Sequence, residues 1–215
     1  MSVATLFGAE ASGSIAVEAA MTLLAIPYTL VEGATWEEES ARQRVAPLNP
    51  LRQVPTLVFP GGEVMTESAA MLIDLADRHP AAGLAPAITD PRRRQFLRWM
   101  VYVSSEIYAL YWIKADTTRI GVALELRQAV IDAVHERIAF CWQSMDAQLQ
   151  PGRYLIGNEL TVLDLYVAVV SRFGPRRTRF YKVAPKMAPV VRRVAAEERL
   201  GDFWPRRFPF DDGWE

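Results

Sequence analysis

The dipeptide Glu67-Ser68 stands between Thr66 and the apolar stripe Ala69, Leu72, Ile73 and Ala76, so an acid and a hydroxyl open a helix. A helix N-terminus offers unpaired N–H groups and the positive end of the dipole, which suits a carboxylate, with the Ser68 hydroxyl as a further donor. Glu67 beside it suits an ammonium group. Ordinary capping explains the same residues, with Thr66 as N-cap and Glu67 complementing the dipole. Ser12 and Ser14 lie in a Gly/Ser-rich loop just ahead of another helix, where capping is again the plain reading. Neither has an evident His or Asp partner, so a serine nucleophile is unsupported. Val54-Pro55 reads as an edge strand opened by proline, at the position where a ladder donor is least missed.

Other chemistries find little material. The single cysteine, Cys141, excludes an internal disulfide, a C-x-x-C centre and a cysteine-based zinc site. Only His79 and His135 are present, far apart, so a metal site or a Ser-His-Asp triad is thinly supported and no metal is expected. Lys plus Arg is 24 and Asp plus Glu is 25, a net charge of −1, so the basic excess of a nucleic-acid binder is missing. The short clusters Arg176-Arg177 and Arg206-Arg207 read as solvated or salt-bridged helix ends. No apolar run approaches the roughly 18 residues that would cross a membrane, and the start Met1-Ser2-Val3-Ala4 has no basic n-region. A cytoplasmic protein without a membrane partner is expected.

The elements that must position these residues follow from periodicity. Val3 to Phe7 reads as a strand, and Val17, Ala20, Met21 and Leu24 mark a helix that Pro27 ends. Tyr28 to Glu32 reads as a second strand and Glu37 to Arg44 as an exposed helix. Pro55 to Phe59 turns through Gly61-Gly62 into Glu63-Val64-Met65. The Glu67-Ser68 helix then runs to His79-Pro80. The order β-α-β-α-β-β-α predicts a small mixed sheet with helices on it. The Pro/Gly/Ala-rich stretch from Pro80 to Pro86 reads as a linker. Beyond it the pattern is helical. Phe96, Trp99, Met100, Val103, Ile107 and Leu110 mark one long helix, and Val134, Ile138, Cys141, Trp142, Met145 and Leu149 a second. Leu163, Tyr166, Val167 and Val170 mark a third, preceded by the capping box Thr161-Val162-Leu163-Asp164.

At this point the sequence resembles the cytosolic glutathione S-transferase family, of the bacterial, serine-like or atypical type. Three segments carry the resemblance: Thr5-Leu6-Phe7-Gly8 through Ser12-Gly13-Ser14 to Ile26-Pro27-Tyr28; Asn49 to Leu57 followed by Thr66-Glu67-Ser68-Ala69-Ala70; and Tyr154-Leu155-Ile156-Gly157 followed by Thr161 to Asp164. Together they span almost the whole chain, and the second is the most specific.

The resemblance implies an α/β plus all-α fold. A thioredoxin-like domain with a mixed four-stranded sheet would occupy residues 1–80, a linker 81–90, and an all-helical domain 91–215. It implies glutathione as co-substrate, a homodimer, and activation of the glutathione thiol for attack on an apolar electrophile, as in detoxification. Val54-Pro55 would be cis and present main-chain groups to the cysteinyl part. Glu67 and Ser68 would hold the γ-glutamyl group, and Gln53 the glycyl end. A loop hydroxyl would bond the sulfur, Ser12 placed first and Ser14 second; no Tyr or Cys occurs in residues 8–16. Phe7, Tyr108, Tyr111 and Trp112 would line the electrophile pocket. The loop Gly8-Ala9-Glu10-Ala11 departs from the serine-class pattern, which favours the alternative of a non-catalytic glutathione- or ligand-binding module.

Overall fold

The computed structural model describes residues 3–174 and 176–209, apart from the side chain of Arg176. Arg176 thus carries no test of the basic cluster named above. Four strands form one sheet in the order β2-β1-β3-β4: β1 (Ala4–Gly8), β2 (Tyr28–Glu32), β3 (Thr56–Val58) and β4 (Val64–Met65). β1 runs parallel to β2 and antiparallel to β3, and β3 runs antiparallel to β4. The β1–β2 link is a crossover through α1 (Ser14–Leu23), as a parallel pair requires. Strand alternation puts Leu6 opposite Leu57, both fully buried, and turns Thr5 and Phe7 to the other face. α2 (Glu39–Val45) joins β2 to β3, and α3 (Ser68–Arg78) packs against α1. This is the small mixed sheet with helices that the residue pattern predicted, in the thioredoxin-like arrangement that the resemblance implied.

The remainder is helical: α4 (Arg93–Tyr102), α5 (Ala109–Ala115), α6 (Arg127–Gln148), α7 (Val162–Val170), α8 (Arg176–Val183), α9 (Ala188–Ala195) and α10 (Phe203–Arg207). Every residue of α7 is buried, and the helix packs on α1, α3, α4 and α9, which makes it the bridge between the two halves. Its start is held by the expected capping box. Asp164 Oδ2 accepts from Thr161 N–H at 2.8 Å and from the Thr161 hydroxyl at 2.7 Å, while Oδ1 accepts from Leu155 N–H at 2.8 Å. The linker joins this point directly, because Val162 N–H donates to Leu84 C=O at 2.8 Å. No helix among the described residues is long and apolar enough to cross a membrane.

Two local expectations are corrected. Thr66 does not cap α3; Glu67 occupies the N-cap, with φ 66° and ψ 102°, and makes no side-chain capping bond. The long helix expected from the face Phe96 to Leu110 is not one regular helix. A π segment, Val103–Tyr108, separates α4 from α5, with an i→i+5 pattern that apolar periodicity does not reveal.

Candidate active site

A cavity of about 1200 Å³ opens between the sheet's loops and the π–α5 wall. Gln53, Val54, Pro55, Glu67 and Ser68 all line it. The Val54-Pro55 bond is cis. Val54 precedes the first paired residue of β3, and its N–H and C=O make no hydrogen bond to any described residue. That leaves one donor and one acceptor facing the cavity, the pair an extended peptide needs. The Gln53 carbonyl is fixed by Asn49 Nδ2 at 3.1 Å and the Thr56 hydroxyl at 2.9 Å, so the backbone just before Val54 is braced.

Glu67 is held at positive φ, a conformation costing a non-glycine residue of order 1–3 kcal/mol, and such positions cluster at ligand clamps. Ser68 is buried at the N-terminus of α3, and its hydroxyl donates to Tyr166 Oη at 3.0 Å. Burial raises the Tyr166 phenol well above its ordinary value, so Tyr166 stays protonated. The Ser68 N–H, free of an intrahelical partner, remains directed outward with the helix dipole.

The loop after β1 supplies Ala9, Glu10, Ala11 and Ser12 to the cavity. The Ser12 hydroxyl donates to Ala9 C=O at 2.7 Å and accepts from Ser14 N–H at 3.1 Å. Ser14 does not line the cavity. It is fully buried, accepts from Ala9 N–H at 3.1 Å, and reaches Glu18 Oε1 at 3.0 Å. Its expected role as the alternative sulfur ligand is corrected: a buried carboxylate one helical turn on draws the hydroxyl inward. Glu18 itself is fully buried and gripped by Arg207 of α10, with Nε to Oε2 at 2.7 Å and Nη2 to Oε1 at 3.0 Å. Arg207 also meets Glu32 at 2.9 Å. The salt-bridged reading of the Arg206-Arg207 cluster therefore fits Arg207.

The helical wall contributes Ser104, Tyr108, Tyr111, Trp112, Lys114 and Arg119, with Phe173 and Phe208 from the far side. Tyr108, Tyr111 and Trp112 thus all line the cavity. Phe7 does not: it falls one residue short of the loop, on the strand, and Phe173 and Phe208 supply the aromatic surface instead. Tyr108 carries a role that sequence reasoning missed. Its hydroxyl accepts from Gly13 N–H at 2.9 Å across 95 residues of chain, and its own proton has no acceptor among the described residues. Burial pushes its phenol up to about 12, so it remains a donor at neutral pH. Glycine is required at residue 13, since a Cβ there would stand 2.3 Å from the Tyr108 oxygen.

His79, His135 and Cys141 lie outside the cavity, and burial raises the Cys141 thiol. Among the described residues no three His, Cys, Asp or Glu side chains gather as metal ligands.

Residues 14–78 match the glutathione S-transferase N-terminal domain family. The chain is 29% identical over 203 residues to the uncharacterised GST-like protein YncG of Escherichia coli K12, covering 93% of this chain and 96% of that one. The chain thus resembles the glutathione S-transferase family along nearly its whole length. It is also 28% identical over 155 residues to the glutathione S-transferase GST-4.5 of Xanthomonas campestris, covering 70% of this chain and 72% of that protein. Among solved structures, a glutathione transferase homologue from Sulfitobacter with bound glutathione superposes with a TM-score of 0.84 at 24% identity, over 96% of this chain and 99% of that one. That likeness concerns the fold; the reading of the site rests on the residues described above.

Proposed function

We propose that this chain is a glutathione transferase that activates the glutathione thiol and delivers its sulfur to an electrophile. The observation that carries the reading is the convergence on one cavity of an unpaired Val54 main chain, the Glu67-Ser68 helix start and two hydroxyls, those of Ser12 and Tyr108. The relatives named as glutathione S-transferases and the glutathione-bound structural neighbour support it.

In this reading the γ-glutamyl carboxylate takes the Ser68 N–H and, once it turns from Tyr166 Oη, the Ser68 hydroxyl; the ammonium pairs with Glu67, Val54 pairs with the cysteinyl main chain, and Gln53 meets the glycyl end. The thiol proton leaves to solvent, and the thiolate sulfur attacks an electrophilic carbon while the leaving group departs with its bonding pair. A thiol near its ordinary pKa of about 8.5 is mostly protonated at pH 7, so donors aimed at sulfur raise the nucleophile fraction. Ser12 can donate only by turning from Ala9 C=O, whereas Tyr108 holds an unspent proton. Tyr108 therefore joins Ser12 as a sulfur donor. Much of the remaining acceleration is proximity within the cavity.

The experiment is a titration of bound glutathione by thiolate ultraviolet absorbance in wild type, Tyr108→Phe and Ser12→Ala. The bound thiol pKa lies below that of free glutathione in wild type and rises by about one unit in Tyr108→Phe, with a smaller rise in Ser12→Ala, on the scale of one charged hydrogen bond. An unshifted pKa in wild type overturns thiol activation. One observation favours a second reading, a glutathione-binding module without turnover: both serine hydroxyls are already engaged, Ser12 with Ala9 C=O in the loop and Ser14 with Glu18 of α1. Binding without conjugation across a panel of electrophiles would decide for it. Action in the cytoplasm and as a homodimer belongs to the same proposal, and the exposed apolar Leu97, Val101 and Phe140 offer material for a subunit contact.

A further inference from the structure

The cavity wall holds a cation whose described partners are one carbonyl and the face of the Tyr111 ring, 5.7 Å from its ammonium. This is Lys114, and its ammonium donates to Gly174 C=O at 3.2 Å. An ammonium has three donors, and no described carboxylate comes within ion-pair distance of this one. Its neighbour Arg119 differs, meeting Asp116 at 3.8 Å and donating to Trp112 C=O at 2.9 Å. The acids nearest the loop are likewise taken, since Glu32 and Glu10 stand 2.9 and 4.0 Å from Arg207. Burial lowers the Lys114 ammonium below its ordinary value, the mark of a half-buried charge without a counter-ion. Such a group gains most from a ligand that brings the opposite charge.

Its placement defines the ligand. Tyr108, Tyr111 and Lys114 follow one another at steps of three along one helical wall. At 1.5 Å per residue, Lys114 lies roughly 9 Å along the axis from Tyr108, which marks the sulfur end. Tyr111 lies between them, edge-on to Phe173 with ring centroids 5.3 Å apart and its hydroxyl on Phe173 C=O at 3.3 Å. That spacing is about one aromatic ring with a substituent at each end.

Building on the glutathione reading, we infer that the second substrate is an aromatic or unsaturated electrophile bearing a carboxylate, and that Lys114 binds the carboxylate while Tyr111 and Phe173 hold the body. Neutral electrophiles of the same shape would bury the ammonium further without balancing it, so the site discriminates by charge.

The test uses unreactive probes, 3,5-dinitrobenzoate and 3,5-dinitrobenzamide, titrated calorimetrically into glutathione-saturated protein. Glutathione affinity is measured first on wild type, Lys114→Met and Lys114→Arg. The acid binds at least tenfold more tightly than the amide in wild type. The ratio falls to within twofold in Lys114→Met and is restored in Lys114→Arg. Parity of the two probes in wild type, failure of both to bind, or a preference that survives Lys114→Met overturns the inference. Absence of glutathione binding in wild type would instead overturn the transferase reading, so the two failures are told apart.

Discussion

Replacing Arg207 with Met tests the contact that ties the end of the chain to the sulfur loop. Glu18 is fully buried, and its carboxylate is met by two Arg207 nitrogens at 2.7 and 3.0 Å, by Ser14 at 3.0 Å and by Tyr28 at 3.4 Å. The packing answers to that charge, since the Tyr28 phenol is pushed up to about 12, first by burial and then by Glu18. Among the described residues no other cation meets this carboxylate, so Arg207→Met leaves it without a counter-charge, out of reach of water. Breaking a buried pair from one side costs about 3–5 kcal/mol, because the survivor stays desolvated. At about 2.1 cal/mol/K per residue, unfolding entropy for a chain of 215 residues is about 0.45 kcal/mol/K, so Tm falls by about 7–11 °C. Differential scanning calorimetry of wild type, Arg207→Met, Glu18→Gln and the double variant closes the cycle. The double variant regains part of the loss of Arg207→Met, since its buried charge is gone. A fall under about 2 °C for Arg207→Met, or strictly additive effects across the cycle, refutes the reasoning.

The remaining predictions concern the ligand, the capping box and assembly. Glu67→Ala and Ser68→Ala each weaken glutathione binding by about 1.5–3 kcal/mol, roughly 10- to 150-fold in Kd by calorimetry, with far-ultraviolet circular dichroism unchanged; wild-type affinity in both would remove the γ-glutamyl site. Burial raises Asp164 to about 6 against the pull of its three donors. A carboxyl raised above its ordinary value of about 3.9 adds stability that is complete below about pH 4 and is lost as pH rises through about 6. Wild-type stability relative to Asp164→Asn therefore declines between pH 4 and 7 in urea unfolding, and a flat or rising difference counts against it. Light scattering gives a mass near 48 kDa, twice the 24.2 kDa chain, and a mass near the single-chain value would count against the homodimer.

Local chemistry was the legible part of the sequence. β2 runs over Tyr28–Glu32 as read, because Pro27 and the β-branched run bound it. The capping box at Thr161 was visible because its partners are three residues apart. Gln53, Val54, Pro55, Glu67 and Ser68 sit on two short segments whose turn and helix start carry strong local signals, and they converge on one cavity. What was not legible is long-range or runs against pattern. Tyr108 reads only as an aromatic lining an electrophile pocket until its hydroxyl is seen on Gly13. Glu18 is buried in α1 against Arg207, 189 residues later, a partner that no local pattern reveals. That inward acid takes Ser14 from the cavity. Phe7 was misassigned because strand alternation fixes its face, whereas its reach along the strand falls short of the loop.

The π segment at Val103–Tyr108 has a consequence for how this protein could change over generations. Removing one residue there, such as the exposed Ser105, would let the wall run as an ordinary α-helix. Everything downstream would turn by about 100° and slide by about 1.5 Å. Phe96, Trp99 and Met100, buried upstream, would hold their places, while Tyr108, Tyr111 and Lys114 would swing to a new bearing. Three nucleotides thus separate this pocket from a differently faced one on the same scaffold, a shorter mutational route to new substrates than replacing each lining residue in turn.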